Sequence, residues 1–364
     1  MEKIKGCLTN KSFPNYIFVI LIGIILIFLI VIISVASSKS SSTSKDSQGG
    51  QGDEDQEDIS TLTPWEKYKK AEKYLYIWEY FTQDYIINMC KEHHFTRVYL
   101  SIGCIETFWD EYYSKGNFPA KGEIGSIDYE EFIKKLNAIN VEIELVTFLS
   151  TEGDDFSNVA RVDTVANMVK KLAQKVKIKA LHFDQECSRT EIENLLNMYI
   201  RADKIFPVSA ILRPGWLSSK LSNYKKYFTN QTFYESFNDC ETLVDALMKV
   251  TKYTDLMAYN KDYTVVESYM EKLKEINGRH SNNEAKNIVE IGWGSNVPED
   301  DTMHQRYIED KDKFFNFVYD MAKKYNGITI HYYEKWYQSL YCIWPTESKP
   351  YDGGEPKNCT YSSK

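Results

Sequence analysis

A chain of 364 residues with 43% hydrophobic and 26% charged residues carries enough apolar mass for a sizeable folded core. Its formal net charge of −8 at pH 7 offers no basic footprint for a phosphate backbone, so nucleic acid is excluded as an expected partner. The six histidines show no metal-ligand spacing, and there is no P-loop, nucleophile elbow or H-E-x-x-H motif; no metal and no cofactor are expected.

The first sixty residues fall into three parts. Residues 1–15 are a short segment containing Lys3, Lys5 and Lys11. Residues 16–36 read YIFVILIGIILIFLIVIISVA, 21 positions without a charge, against the roughly 20 that a helix needs to cross a hydrocarbon core. A single transmembrane helix is predicted, with the lysine-bearing N-terminus cytosolic and the bulk of the chain outside or in a lumen. Ser34-Val35-Ala36 also reads as a cleavage site. A removed leader is therefore the alternative, although the apolar part of such a leader usually runs about 7–15 residues. Residues 37–60, first Ser-rich, then Gly-rich, then acidic, cannot bury enough apolar surface to fold. They are predicted as a disordered, flexible stalk reaching roughly 25–30 Å.

In residues 61–364 short apolar runs alternate with helical patterns. Strands are predicted at 73–79, 97–103, 141–148, 178–184, 208–214, 255–260, 287–293 and 327–333. Amphipathic helices are predicted at 129–136, 162–176, 192–205, 243–250, 265–276 and 314–324. Eight strand–helix repeats predict a (β/α)₈ barrel of the TIM type. A doubly wound open sheet is the alternative, but it usually has fewer strands, and no Gly-rich loop follows the first strand. Six cysteines lie beyond the apolar span and permit up to three disulfides; Cys342 and Cys359, together in the tail, are the favoured pair. Asn230-Gln-Thr232 and Asn358-Cys-Thr360 are glycosylation sequons that suit a luminal domain.

Active sites of such barrels are built at the C-terminal ends of the strands. The fourth strand, Ile178-Lys-Ala-Leu-His-Phe-Asp-Gln-Glu186, ends in two carboxylates with strand spacing, so Asp184 and Glu186 are expected to project together. Paired carboxylates at that place suggest acid–base chemistry on a glycosidic bond. Other strand ends supply Trp78, Arg213, Trp216, Tyr259, Asn260, Trp293, Tyr333 and Trp336. The aromatic rings among them give sugars flat apolar platforms. Arg213 shares an inward parity with Ser209 and Ile211 and could pair with a site carboxylate.

These residues resemble the chitinase and endo-β-N-acetylglucosaminidase family of barrel glycoside hydrolases. That family carries D-x-x-D-x-D-x-E on its fourth strand and M-x-Y-D, or a close variant, on its sixth; its eighth usually delivers a Trp that floors the site. Here the fourth strand reads Lys179-Ala-Leu-His182-Phe-Asp184-Gln-Glu186, the sixth Met257-Ala-Tyr259-Asn260, and Trp336 follows the eighth. The resemblance implies that Glu186 protonates the leaving oxygen. Asp184 would orient the substrate's 2-acetamido group for attack on the anomeric carbon, and Tyr259 would hydrogen-bond that group, in the substrate-assisted route that needs no enzyme nucleophile. Asn260, Arg213, Trp216, Trp293, Trp336 and Tyr333 would contact a β-linked N-acetylhexosamine glycan. Lys179 and His182 stand where the family has two deeper acids. A cation at His182 would favour an ionised Asp184, and a catalytically inactive, carbohydrate-binding barrel is the alternative reading.

The remaining candidates have blander readings. His331 is expected to be a satisfied core histidine, and His93-His94 a cap or surface pair at the end of the first helix. Glu79, Glu106, Glu290 and Glu334 are substitute acids should a two-carboxylate mechanism reach across the barrel.

Overall fold

The computed structural model describes residues 59–78, 83–121, 126–149, 158–280, 288–292, 303–325 and 327–331. The apolar span 16–36 lies outside the described residues, as do Glu79, Trp293, Tyr333, Glu334, Trp336, Cys342, Asn358 and Cys359. Among the described residues no helix is long and apolar enough to cross a membrane.

Eight parallel strands close into a barrel in sequence order. They are β1 (Lys73–Ile77), β2 (Phe95–Cys104), β3 (Glu142–Phe148), β4 (Ala180–Phe183), β5 (Val208–Leu212), β6 (Tyr253–Met257), β7 (Ile288–Gly292) and β8 (Ile328–His331). The seam is made by β1 on β8, from Lys73↔Ile328 to Leu75↔Ile330. The helices are α1 (Pro64–Lys70), α2 (Gln83–Glu92), α3 (Tyr129–Ala138), α4 (Arg161–Leu172), α5 (Ile192–Asp203), α6 (Gln231–Glu235), α7 (Leu243–Val250), α8 (Tyr263–Asn277), α9 (His304–Glu309) and α10 (Lys311–Lys324). All eight expected strands are present, but several end earlier than the apolar runs suggested. The helix expected at 162–176 likewise stops at Leu172.

Local chemistry explains where helices start. Thr63 accepts from the Glu66 amide while the Glu66 carboxylate accepts from the Thr63 amide, with Pro64 at the first helical position of α1. Thr242 and Asp245 form the same reciprocal cap on α7. Asp128, Asp262 and Asp310 cap α3, α8 and α10.

Alternation along the strands sorts the core into two compartments. Leu75, Ile77, Val98, Leu100, Ile143, Leu145, Leu181, Phe183 and Val208 face outward into one continuous apolar layer beneath the helices. Tyr74, Tyr76, Tyr99 and Val146 form a separate cluster inside the barrel, with Trp78 against it. Parallel strands covered on both faces bury both parities. Gly327, entering β8 with φ +113°, lies so close to Tyr74 that a Cβ would meet its ring at 2.4 Å.

The chain enters this domain through a clamp. Trp65 and Tyr68 of α1 pack on Phe315 of α10 with ring centroids 5.1 and 4.9 Å apart. The fully buried Lys73 ammonium donates to the carbonyls of Tyr68 (2.5 Å), Ala71 (2.8 Å) and Lys69 (3.3 Å), capping the end of α1. His93 is a correction to the expected surface role: it is buried against the edge of Trp65. Burial, with help from the charges of Lys73 and Lys69, holds its pKa well below the ordinary value.

Candidate functional site

Asp184 and Glu186 do lie at the C-terminal end of β4, but β4 stops at Phe183, so neither sits in the strand itself. Their placement is set by Gln185 between them. Its buried side-chain oxygen accepts from the Leu149 amide at 2.8 Å, tying the exit of β4 to that of β3. Asp184 is half-buried and Glu186 exposed. Arg213, immediately after β5, reaches Glu186 with Nε 3.2 Å from Oε2, as the inward parity anticipated. Both side chains are nearly half exposed, at 47% and 44%.

Across the same end, β6 stops at Met257, and Tyr259 stands in the loop beyond it. The Tyr259 hydroxyl and His331 Nδ1 are 3.0 Å apart. His331, 7% exposed, is therefore partnered, in keeping with the core role expected for it. Asn260 is used locally, because its side-chain oxygen accepts from the Asp262 amide at 2.8 Å and so shapes the turn that Asp262 then uses to cap α8. Trp216 is not a platform. It lies in the short 3₁₀ helix Pro214–Ser218 and is buried in the outer core, 8% exposed, so the expectation that it contacts substrate is corrected. The other three expected platforms, Trp293, Tyr333 and Trp336, fall outside the described residues. Glu290 pairs in register with Met257 and Thr329, which places its backbone level with this end of β6. Glu106, the other described substitute acid, is half-buried and accepts from the Cys104 thiol at 3.4 Å. Asn230 is exposed at the N-terminus of α6, where its side chain caps the Phe233 amide at 3.0 Å. Cys90, Cys104 and Cys240 are free thiols, which leaves room for at most one of the three disulfides that the count permitted.

Beneath the strand ends the barrel is filled by rings. Tyr76 stacks on Tyr99 at 4.5 Å and on Trp78 at 5.8 Å, each within 9° of parallel, and on His331 at 5.0 Å. Trp78 meets Phe148 edge-on at 6.3 Å. Among the described residues its buried indole N–H has no hydrogen-bond partner.

Deeper still runs a buried polar chain. Arg97 lies between two carboxylates: Nε and NH2 donate to Glu142 at 3.0 and 2.8 Å, and NH1 is 3.2 Å from Glu144. Ser209 Oγ donates to Glu144, His182 Nδ1 is 2.8 Å from Ser209 Oγ, and His182 Nε2 is 2.7 Å from the Tyr76 hydroxyl. Burial works to raise the pKa of Glu144, but His182, Arg97 and Ser209 together outweigh it, and the carboxyl sits below its ordinary value. Lys179, expected where the family has one of its deeper acids, pairs with Glu142 at 2.7 Å and lies 5.1 Å over the Tyr253 ring, at the opposite end of the barrel from Asp184. Asp255 accepts from Thr329 at 2.9 Å. Sequence reasoning passed over Glu144 and Tyr76. Both carry the inward parity of their strands, and an acid at an inward position of an apolar strand was the available signal.

Neither a family model nor a curated protein sequence matches this chain. Among solved structures it is similar to a GH18 chitinase from Pseudoalteromonas aurantia, at 13% identity and a TM-score of 0.45 over 72% of this chain and 93% of that one. It is also similar to the catalytic domain of a hyperthermophilic chitinase from Pyrococcus furiosus, at 12% identity and a TM-score of 0.41 over 71% and 83%. A sugar phosphate isomerase/epimerase from Parabacteroides distasonis scores alike, at 10% identity and a TM-score of 0.42 over 72% and 88%. Likenesses at this level do not say what this chain binds.

Proposed function

We propose that residues 61–364 form a glycan-binding ectodomain, tethered through residues 16–36 and held outside the cell or in a lumen. Its ligand would be a β-linked N-acetylhexosamine chain seated at the C-terminal end of the barrel. The observation that carries this reading is the collection of complementary groups at one end. Asp184, Glu186 and Arg213 stand at the exits of β4 and β5, Tyr259 and His331 at those of β6 and β8, and Trp78 at that of β1. Carboxylates and a guanidinium suit hydroxyl and amide groups, and the rings suit the apolar faces of a sugar. In that compartment the exposed Asn230 would be a glycan acceptor.

Two features favour binding over cleavage. The Arg213 guanidinium stands 3.2 Å from Glu186 Oε2 as an ion pair, so a glycosidic oxygen would have to displace it to take a proton from Glu186. The residue preceding Asp184 on the inward parity is His182, bound to Ser209 and Tyr76, rather than a carboxyl with which Asp184 could share a proton. The second reading is substrate-assisted hydrolysis, with Glu186 as acid and Asp184 and Tyr259 holding the acetamido group; the presence of both acids at the strand end supports it. Calorimetry of the full chain with chitotetraose, alongside product chromatography, separates the two. Binding without shorter oligosaccharides, in both wild type and Glu186→Gln, is expected. Chitobiose released by wild type alone would replace binding with hydrolysis, and an absence of binding heat would sink both readings.

A further inference from the structure

The buried chain from Glu144 to Tyr76 has a polarity that its hydrogen bonds dictate. Ser209 has one hydroxyl hydrogen, and the carboxylate of Glu144, held ionised beside Arg97, can only accept; that hydrogen therefore points at Glu144. Ser209 Oγ can then only accept from the imidazole, which puts the His182 proton on Nδ1. With a single proton on the imidazole, Nε2 is bare and accepts from the Tyr76 hydroxyl, whereas an imidazolium, its Nδ1 3.8 Å from Glu144 Oε2, would donate there instead. In the singly protonated form all three hydrogens point toward Glu144, and chains aligned in this way strengthen one another. The register supports the geometry: His182 pairs directly with Ser209, Tyr99 with Glu144, and Tyr76 with Tyr99.

We propose that Glu144, acting through Ser209 and a neutral, Nδ1-protonated His182, is the positioning residue that locks Tyr76 and with it the aromatic floor of the glycan site. His182 then keeps a place at this level of the barrel for a carboxylate that sits on the neighbouring strand. Tyr76 is the ring through which the lock reaches the site, because Trp78 and His331 both stack on it. The functional half of this proposal rests on the glycan-binding reading; the polarity of the chain does not.

The test uses the full-length chain labelled with ¹⁵N-histidine. Long-range proton–nitrogen correlation at neutral pH reads the tautomer, and chitotetraose titration reads the site. His182, identified by the loss of its signal in His182→Gln, is expected in the Nδ1–H form in wild type and in Tyr76→Phe, since the polarity is set from the Glu144 end. Ser209→Ala is expected to lose that form and Ser209→Thr, which restores the hydroxyl, to regain it. Chitotetraose affinity should fall about five- to tenfold in Tyr76→Phe and Ser209→Ala, the effect of one buried hydrogen bond, and recover in Ser209→Thr. An Nε2–H form or an imidazolium in wild type overturns the polarity. The expected tautomers with unchanged affinity in both variants overturn the positioning role. The expected tautomers with no glycan binding by wild type overturn the glycan reading and its dependence on this chain, while leaving the polarity established.

Discussion

The two ends of the barrel use the same chemical pair, a cation against a carboxylate, under opposite conditions. Toward the N-terminal end Arg97 is buried between Glu142 and Glu144, with Lys179 closing Glu142 from outside. At the C-terminal end Arg213 and Glu186 meet at a similar distance with almost half of each side chain in water. A buried pair cannot lose one member without stranding the other's charge, whereas an exposed pair exchanges its partner for solvent at little cost. One end is committed to the fold, and the other can trade its ion pair for solvent.

The largest effect should therefore come from the buried end. Arg97→Met strands Glu144 and is expected to remove about 3–5 kcal/mol of stability in urea unfolding; a stability equal to wild type would break the contrast. The same residue governs acid sensitivity. A carboxyl whose pKa is lowered on folding contributes stability that is present above its ordinary value of 4.5 and is lost as pH falls through the folded value. Wild-type stability should decline below about pH 4.5, with a smaller decline in Arg97→Met.

Gly327→Ala should come next. Its positive φ and the Tyr74 ring in the way of a Cβ predict a loss of about 1–3 kcal/mol, read as a lowered midpoint of thermal unfolding. The smallest effect belongs to the open end. Arg213→Ala is expected to change stability by no more than about 0.5 kcal/mol while altering chitotetraose affinity. A loss of stability comparable to that of Arg97→Met would erase the distinction between the two ends.

Much of the barrel was legible in the chain because parallel strands covered on both faces leave short apolar runs, and all eight were visible as such. The positions of Asp184 and Glu186 at a strand end followed from the same pattern, and so did the Arg213 contact, through its parity with Ser209. What stayed hidden depended on neighbours in space. His182 read as a cation that would act on Asp184, yet its partners Ser209 and Tyr76 come from two other strands whose register no single sequence displays. Motif spacing put Lys179 deeper than Asp184 but could not show its partner: it precedes the first residue of β4 and reaches down to Glu142. Trp216 looked like a strand-end platform until the 3₁₀ turn begun by Pro214 carried it into the outer core. The side-chain oxygen of Asn260 serves its own turn, a local use that strand patterning does not display.

The clamp at the chain's entry has a mechanical side. A pull arriving at Ile59 is taken up first by α1, whose rings bear on α10 and whose last carbonyls are held by the Lys73 ammonium. The load is thus divided between α10, which leads into β8, and β1, the two sides of the β1–β8 seam. Force directed along those strands shears several hydrogen bonds at once instead of peeling them singly. A domain loaded through its N-terminus in this way would hold its barrel shut under tension, with the opposite end of the barrel away from the load.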